Sequence, residues 1–456
     1  MKKRILLPTL LPGVLYSASC TNGNKVSLPQ EKGAAQWFKD AKLGIFIHWG
    51  IYSVNSTGAS WPIFNKQLTY DEYIKQTEGF TASEYNPEKW AELFKESGAR
   101  YAVLTSKHHD GVALWDTKVL TNGEKLSVVT KTPAKRDLVA PFVEAMRKAG
   151  IHPGLYYSWL DWSNEDYASL AKWRCDDTES KRHTPENLKK WKNFIKFDQD
   201  QLEELSKNYK PDLFWFDGEW DASDDDWNMK KFRKLLKTWL PNVTLNSRMK
   251  GFGDYKTPEQ GIPITPPEEP WELCMTMNSA WGYMENDTKH KSLSQLIRIF
   301  IECVSMGGNF LLNIGPKPDG TIRKEQVNIL KGMGKWNQTY EEAIFNTNPG
   351  PSRLHYSAPC TISKDKKYLY LFVFDKPVNG ILFKGLINTP KQISLLATGE
   401  SLNYERIGGA PWLNVPGVLF INTPENLKVG HGTVVKIELN EPLKLYTGSS
   451  GAIEQN

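Results

Sequence analysis

The sequence predicts an α/β protein: a (β/α)8-like TIM barrel followed by a C-terminal β-sandwich domain. Three observations predict it. From about residue 37, short β-like runs alternate with apolar stripes at helical spacing seven or eight times before residue 346, the pattern of parallel strands joined by crossover helices. After Asn346 the texture changes to short strands separated by turn residues at sandwich-like intervals. The chain's 456 residues also exceed the roughly 250–300 at which a single core stops growing, so a large domain with a smaller companion is expected.

Strand candidates in the first part are 44–49 (GIFIHW), 101–107 (YAVLTSK), 154–159 (GLYYSW) and 213–217 (LFWFD). They continue with 243–248 (VTLNSR), 271–276 (WELCMT), 309–314 (NFLLNI) and, as a weak eighth, 343–345. Between them lie helical patterns: Trp90, Leu93, Phe94 and Ser97 after Pro87; Leu138, Phe142, Ala145 and Met146 before Gly150; and stretches over 185–208, 226–240, 292–306 and 324–342. A closed barrel fits this count better than an open doubly wound sheet and puts function at the C-terminal ends of the strands. No glycine-rich loop follows the first strand, so dinucleotide binding is not expected. The break at Pro349-Gly350-Pro351 opens the second domain, with strand candidates at 368–374, 380–383, 392–396, 418–421 and 433–437. The barrel is placed at 29–346 and the sandwich at 348–447.

The N-terminus reads as a targeting segment. Lys2-Lys3-Arg4 precede a mostly apolar run to Tyr16, and Ser17-Ala18-Ser19 supply small residues before Cys20. Small residues before a Cys, followed by a polar stretch, resemble a bacterial lipoprotein signal. Residues 1–20 are thus expected to be a signal peptide, with Cys20 as the acylated residue if the chain is anchored. The expected location is the periplasm or the outer membrane of a Gram-negative bacterium, and the membrane would be met only through that anchor.

Removing the leader's three cations lowers the formal charge from +5 to +2. With no basic run, nucleic acid is not an expected partner. Cys175, Cys274, Cys303 and Cys360 show no paired CxxC spacing, so neither a zinc site nor a disulfide framework is expected. The unusual number is aromatic: 17 Trp, 18 Tyr and 19 Phe, more Trp than core filling readily uses.

Many of these aromatics fall where strands end. The first strand closes on His48-Trp49-Gly50, the second on His108-His109-Asp110-Gly111, and the third on Tyr156-Tyr157-Ser158-Trp159. The fourth ends Trp215-Phe216-Asp217-Gly218-Glu219, and the fifth delivers Asn246 and Arg248. Aromatic faces beside imidazoles, an Arg and carboxylates suit a sugar, which has C–H faces to stack and hydroxyl edges to bond. Each group also has an ordinary structural reading: a buried His in the core, Trp215 and Phe216 on opposite faces of a strand, Arg248 in a rim ion pair. Asp217 is the exception, because a carboxylate directly after LFWF needs a partner or a function. Retaining glycoside hydrolysis requires two carboxyl groups about 5–5.5 Å apart. Asp217 occupies the nucleophile's position; the partner comes from elsewhere than Glu219, which is already in a loop, and Glu259, Glu268, Glu269 and Glu272 are the candidates that periodicity leaves open.

Together, WFKDAKLGIFIHWGIYSV, YAVLTSKHHDG, GLYYSW, LFWFDG, NSR and WELCMTMNSAWGY resemble the glycoside hydrolase family 29 α-L-fucosidases over nearly the whole chain after the leader. The resemblance implies a cofactor-free, metal-free double displacement on terminal α-L-fucosyl groups of oligosaccharides or glycoconjugates. It implies Asp217 as nucleophile, and Phe46, His48, Trp61, His108, His109, Tyr157, Trp215, Arg248 and Trp281 as substrate-binding residues. Trp281 and Phe46 would lie against the C5 methyl. Glu259 is the best match to the acid/base, with Glu268 and Glu269 as alternatives. Many relatives have Glu-Trp where this chain has Ser60-Trp61, so a pocket carboxylate is missing and galactosidase activity becomes the alternative reading. A non-catalytic carbohydrate-binding protein is a further rival. A metal-dependent amidohydrolase would want HxH after strand one, and His48-Trp49-Gly50 does not supply it.

Overall fold

The computed structural model describes residues 33–168 and 183–448; the signal-peptide segment 1–20 and Cys20 lie outside the described residues. Among those described, no helix is long and apolar enough to cross a membrane. The first part holds seven strands: β1 (Leu43–Ile47), β2 (Tyr101–Lys107), β3 (His152–Ser158), β4 (Leu213–Asp217), β5 (Thr244–Leu245), β6 (Glu272–Thr276) and β7 (Asn309–Ile314). They form one parallel sheet in the order β5-β4-β3-β2-β1-β7-β6. Helices over Pro87–Ser97, Val139–Ala149, Pro185–Tyr209, Met229–Trp239, Leu293–Ser305 and Lys324–Thr339 alternate with them. Their ends follow the local chemistry. Asn86 accepts the backbone N–H of Lys89 ahead of Pro87, and Gly98 and Gly150 close their helices in the left-handed region.

Because successive side chains on a strand face opposite ways, the sheet makes two apolar layers. The interior layer contains Phe46, Tyr101, Val103, Tyr156, Leu213, Trp215, Cys274 and Leu311. The outer layer, facing the helices, takes Ile45, Leu104, Leu155, Tyr157, Phe214, Phe216 and Leu312.

The weak eighth strand at 343–345 is a helix instead, Glu341–Ile344. Two acids in its first turn and an Ala favour helix at that point. The gap between β5 and β6 is filled by residues 254–260, which touch both neighbours through isolated parallel bridges: Asn246 with Tyr255, Lys256 with Trp271, and Glu259 with Cys274. Pro258 has no N–H to give a regular ladder, so this stave never becomes a strand. It is nonetheless pinned: Glu272 N–H bonds the Lys256 carbonyl at 2.9 Å, Cys274 N–H the Pro258 carbonyl at 3.1 Å, and Gln260 N–H the Cys274 carbonyl at 2.9 Å.

Beyond the barrel, β8 (Thr347–Pro349), β9 (Cys360–Ser363), β10 (Tyr368–Val373), β11 (Ile381–Lys384), β12 (Pro390–Leu395), β13 (Tyr404–Ile407), β14 (Val418–Ile421) and β15 (Thr433–Leu439) follow. They form an antiparallel five-stranded sheet, β12-β15-β10-β9-β8, and a three-stranded one, β11-β14-β13, around a core of their own. β8, β9 and β13 went unread in the sequence, being three or four residues long with half-exposed patterns. Tyr370, Phe372 and Val434 turn the five-stranded sheet onto the barrel's helical layer, and Trp336 Nε1–H bonds the Gly432 carbonyl across that seam at 2.9 Å.

Candidate active site

At the C-terminal ends of the strands lies a cavity of about 240 Å³ lined by Phe46, His48, Trp61, His108, Tyr156, Trp215, Asp217, Trp220, Arg248, Glu259 and Trp281. Asp217 ends β4 and is followed by Gly218, whose φ of +95° and close approach to Leu160 exclude a side chain. That sharp exit leaves the carboxylate at the cavity floor, 13% exposed, with Tyr156 Oη–H bonded to Oδ2 at 2.9 Å. Arg248 arrives after β5, where Asn246 replaces strand pairing with its own amide: Oδ1 accepts Phe216 N–H and Nδ2 donates to the Phe216 carbonyl, both at 2.9 Å. The guanidinium binds Asp217 through Nη1 and Glu259 through Nη2, and it lies 4.9 Å from the Trp215 ring centroid. Burial opposes its charge, but the two carboxylates outweigh that and hold Arg248 firmly protonated.

The three imidazoles are each held from behind. His48 Nδ1 meets Asn313 Oδ1 at 2.6 Å, His108 Nδ1 meets Ser60 Oγ at 2.7 Å, and His109 Nδ1 meets Ser158 Oγ at 2.6 Å. Burial, only partly offset by the Asn313 bond and Asp217, pushes His48 down to about 4. Burial, reinforced by His48, Arg248 and Lys107, pushes His109 down to about 3. His108 falls well below its ordinary value, through burial and then His109. All three are neutral rings near pH 7.

A bulge decides which of the adjacent histidines enters. Thr105 pairs with Tyr156 but Lys107 with Tyr157, so Ser106 is an extra residue in β2. Lys107 therefore faces the outer layer and His108 the cavity. His109 does not line the cavity. It packs behind it, edge-on to Trp61 and tilted against Trp162, and its Nε2, 3.7 Å from Asp217 Oδ2, has no hydrogen-bond partner among the described residues.

The position expected for Tyr157 belongs to Tyr156. In register, Tyr156 pairs with Trp215 and Ser158 with Asp217, so Tyr156 shares the inward face and Tyr157 points away. Its hydroxyl bonds Asp198 Oδ1 at 2.7 Å and accepts from Lys107 Nζ at 3.1 Å. Trp220, on the turn after Gly218, is a lining residue with no periodic signal in the sequence. Glu268 and Glu269 are exposed on the loop outside the cavity, Glu269 lying 3.6 Å from Lys256. Glu272 sits inside the barrel beneath the floor, accepting Trp215 Nε1–H at 2.9 Å and the Tyr101 hydroxyl. Among the described residues no group of three or more His, Cys, Asp or Glu is placed to hold a metal ion.

A family model described as Alpha-L-fucosidase matches residues 16–342. The chain belongs to the alpha-L-fucosidase family. It is 34% identical to the tissue alpha-L-fucosidase of Mus musculus over 341 residues, 69% of this chain and 72% of the mouse protein. It is 33% identical to the plasma alpha-L-fucosidase of Homo sapiens over 404 residues, 81% of this chain and 82% of that one. Among solved structures, alpha-L-fucosidase isoenzyme 1 from Paenibacillus thiaminolyticus superposes with a TM-score of 0.79 at 29% identity, covering 89% of this chain and 98% of that one. A Bacteroides thetaiotaomicron alpha-L-fucosidase, trapped as a covalent intermediate with 2-fluoro-fucosyl fluoride, matches with a TM-score of 0.78 at 28% identity over 90% and 99% of the two chains. This membership makes the chain a glycoside hydrolase, and the cavity at the strand ends is where its residues converge.

Proposed function

We propose that this fucosidase-family enzyme removes single terminal α-L-fucosyl groups from oligosaccharides or glycoconjugates with retention, Asp217 acting as nucleophile and Glu259 as acid/base. The observation that carries this reading is the Arg248 clamp. One guanidinium spans both carboxyl groups, in keeping with the close spacing of about 5–5.5 Å that retention requires rather than the about 6.5–9.5 Å of inversion. The two acids also differ in setting. Asp217 is 13% exposed on the floor, whereas Glu259 is 38% exposed at the rim, where a leaving group departs and a proton can be exchanged with water. A cavity of about 240 Å³, smaller than the roughly 300–1,000 Å³ of larger ligand sites, suits one sugar ring.

In this reading Asp217 attacks the anomeric carbon while Glu259 protonates the departing oxygen. Glu259 then takes a proton from water, which displaces Asp217. Phe46 and Trp281, with ring centroids 6.0 Å apart, offer an apolar corner for the C5 methyl. His48, His108, Trp61, Trp215 and Arg248 surround the ring. Asp217→Ala is expected to cut turnover of an aryl α-L-fucoside about 10³-fold or more while the fold persists. Near-wild-type activity in that variant would remove Asp217 from its role.

We further infer export to the periplasm or outer membrane, supported by Lys2-Lys3-Arg4, the apolar run after it and the small residues before Cys20. Mass spectrometry of the protein from the cell envelope should find Cys20 at the mature N-terminus; retention of Met1 would count against export.

A further inference from the structure

Ser60 does not line the cavity. It is fully buried behind His108, where its Oγ lies 2.7 Å from His108 Nδ1 and donates to Asp110 Oδ2 at 3.0 Å. Asp110 is fixed in turn: Tyr73 Oη–H donates to Oδ2 at 3.0 Å and Val112 N–H to Oδ1 at 2.9 Å. A hydroxyl has one proton. With it committed to the Asp110 carboxylate, Ser60 Oγ can only accept from His108. We propose that Ser60 and Asp110 are positioning residues that lock His108 as its Nδ1–H tautomer, so that Nε2 accepts the proton of a substrate hydroxyl.

The other two imidazoles obey the same logic. Ser158 Oγ donates to the Leu160 carbonyl at 2.8 Å, so it too accepts from His109. Asn313 Nδ2 donates to the Trp281 carbonyl at 2.7 Å, which turns its Oδ1 toward His48. All three rings are neutral, so each carries a single N–H, and each spends it behind the cavity. The cavity face formed by His48 and His108 offers lone pairs only. It selects a ring that presents hydroxyl protons, which rests on the reading that the cavity takes a fucosyl group. The serine thus acts on the sugar indirectly, through the histidine.

The relay predicts its own reversal. In Asp110→Asn, Val112 N–H holds the amide oxygen at the Oδ1 position and turns the NH2 toward Ser60. Ser60 must then accept from that amide and donate to His108 Nδ1, which moves the ring proton to Nε2.

The test uses the free full-length protein carrying 15N-labelled histidine, with His108 assigned by comparison with His108→Gln. Two-bond nitrogen–proton correlations at neutral pH should show His108 protonated at Nδ1 in the wild type and at Nε2 in Asp110→Asn. Ser60→Ala, which removes the acceptor, should lower kcat/KM on an aryl α-L-fucoside about 10-fold or more. An Nε2–H ring in the wild type, or an unchanged tautomer in Asp110→Asn, overturns the proposal. Because the tautomer is read without substrate, failure of the Asp217 experiment and failure of this one are distinguishable.

Discussion

Tyr156 and Tyr157 stand back to back on β3: the first donates to the Asp217 carboxylate at 2.9 Å inside the barrel, the second to Asp198 at 2.7 Å outside it. Phenylalanine at each should therefore fail differently. Tyr156→Phe removes a hydrogen bond to a charged group, and kcat on an aryl fucoside should fall about 10- to 100-fold with little change in melting temperature. Tyr157→Phe instead leaves buried Lys107, Asp198 and Gln201 each one partner short. Its expected effect is about 1–3 kcal/mol of stability, read by denaturant unfolding, with kcat nearly intact. The reverse pattern would mean the inward residue has been misassigned.

Arg248 touches both carboxylates. Arg248→Lys keeps a positive charge but offers a single point donor in place of two terminal nitrogens on a rigid plane. One of the two contacts must be lost. A fall in kcat/KM of about 30- to 150-fold is expected, larger than charge conservation alone would suggest. A lysine variant within a few-fold of wild type would show that the bridge is dispensable.

For Glu259 the leaving group decides. Glu259→Ala should lose about 10²–10⁴-fold on a fucosyl oligosaccharide, whose departing sugar needs a proton. The loss should be milder on an activated aryl fucoside, which departs without one. Azide should restore turnover of the aryl substrate and give the α-L-fucosyl azide, with net retention, because it enters the space vacated on the face opposite the Asp217 adduct and inverts that adduct. Glu268→Ala and Glu269→Ala, on the outer loop, should behave as wild type. Either one reproducing the leaving-group dependence would transfer the role.

Much of this arrangement was readable from residue order, and the failures have definite causes. Asp217 could be singled out because a carboxylate ending an apolar strand has few innocent explanations, and Glu259 could be matched only through the family's motifs. Register could not be read. Period-two alternation says that Tyr156 and Tyr157 face opposite ways, but which one faces in depends on the pairing of β3 with β4. The choice between His108 and His109 turned on a single bulged residue, Ser106, invisible to periodicity. The eighth stave escaped because it is held by its neighbours' backbone around Pro258 and has no strand-like run of its own. Ser60 was legible as a departure, but only the structure shows that it sits behind a histidine and not in the cavity wall.

The buried carboxyl beneath the floor should leave a mark on stability. Burial raises Glu272 to about 7 from an ordinary 4.5, outweighing its bonds from Tyr101 and Trp215. Between those values the native chain keeps a proton that the unfolded chain has released, so each unit of rising pH favours unfolding. The stability tied to this group is full below about pH 4.5, declines to about pH 7 and is flat above it, a total of roughly 3 kcal/mol. Glu272→Gln cannot ionise, and its amide can still accept from Trp215 and donate to the Tyr101 oxygen. Because His48 and His109, held low, push the wild type's own profile the opposite way between pH 6.5 and 4, the informative quantity is the difference between variant and wild type. That difference should grow in the variant's favour from pH 5 to 7 in denaturant titrations and then stay constant. A difference independent of pH would mean that Glu272 is ionised throughout, with its charge held by the donors of Tyr101 and Trp215.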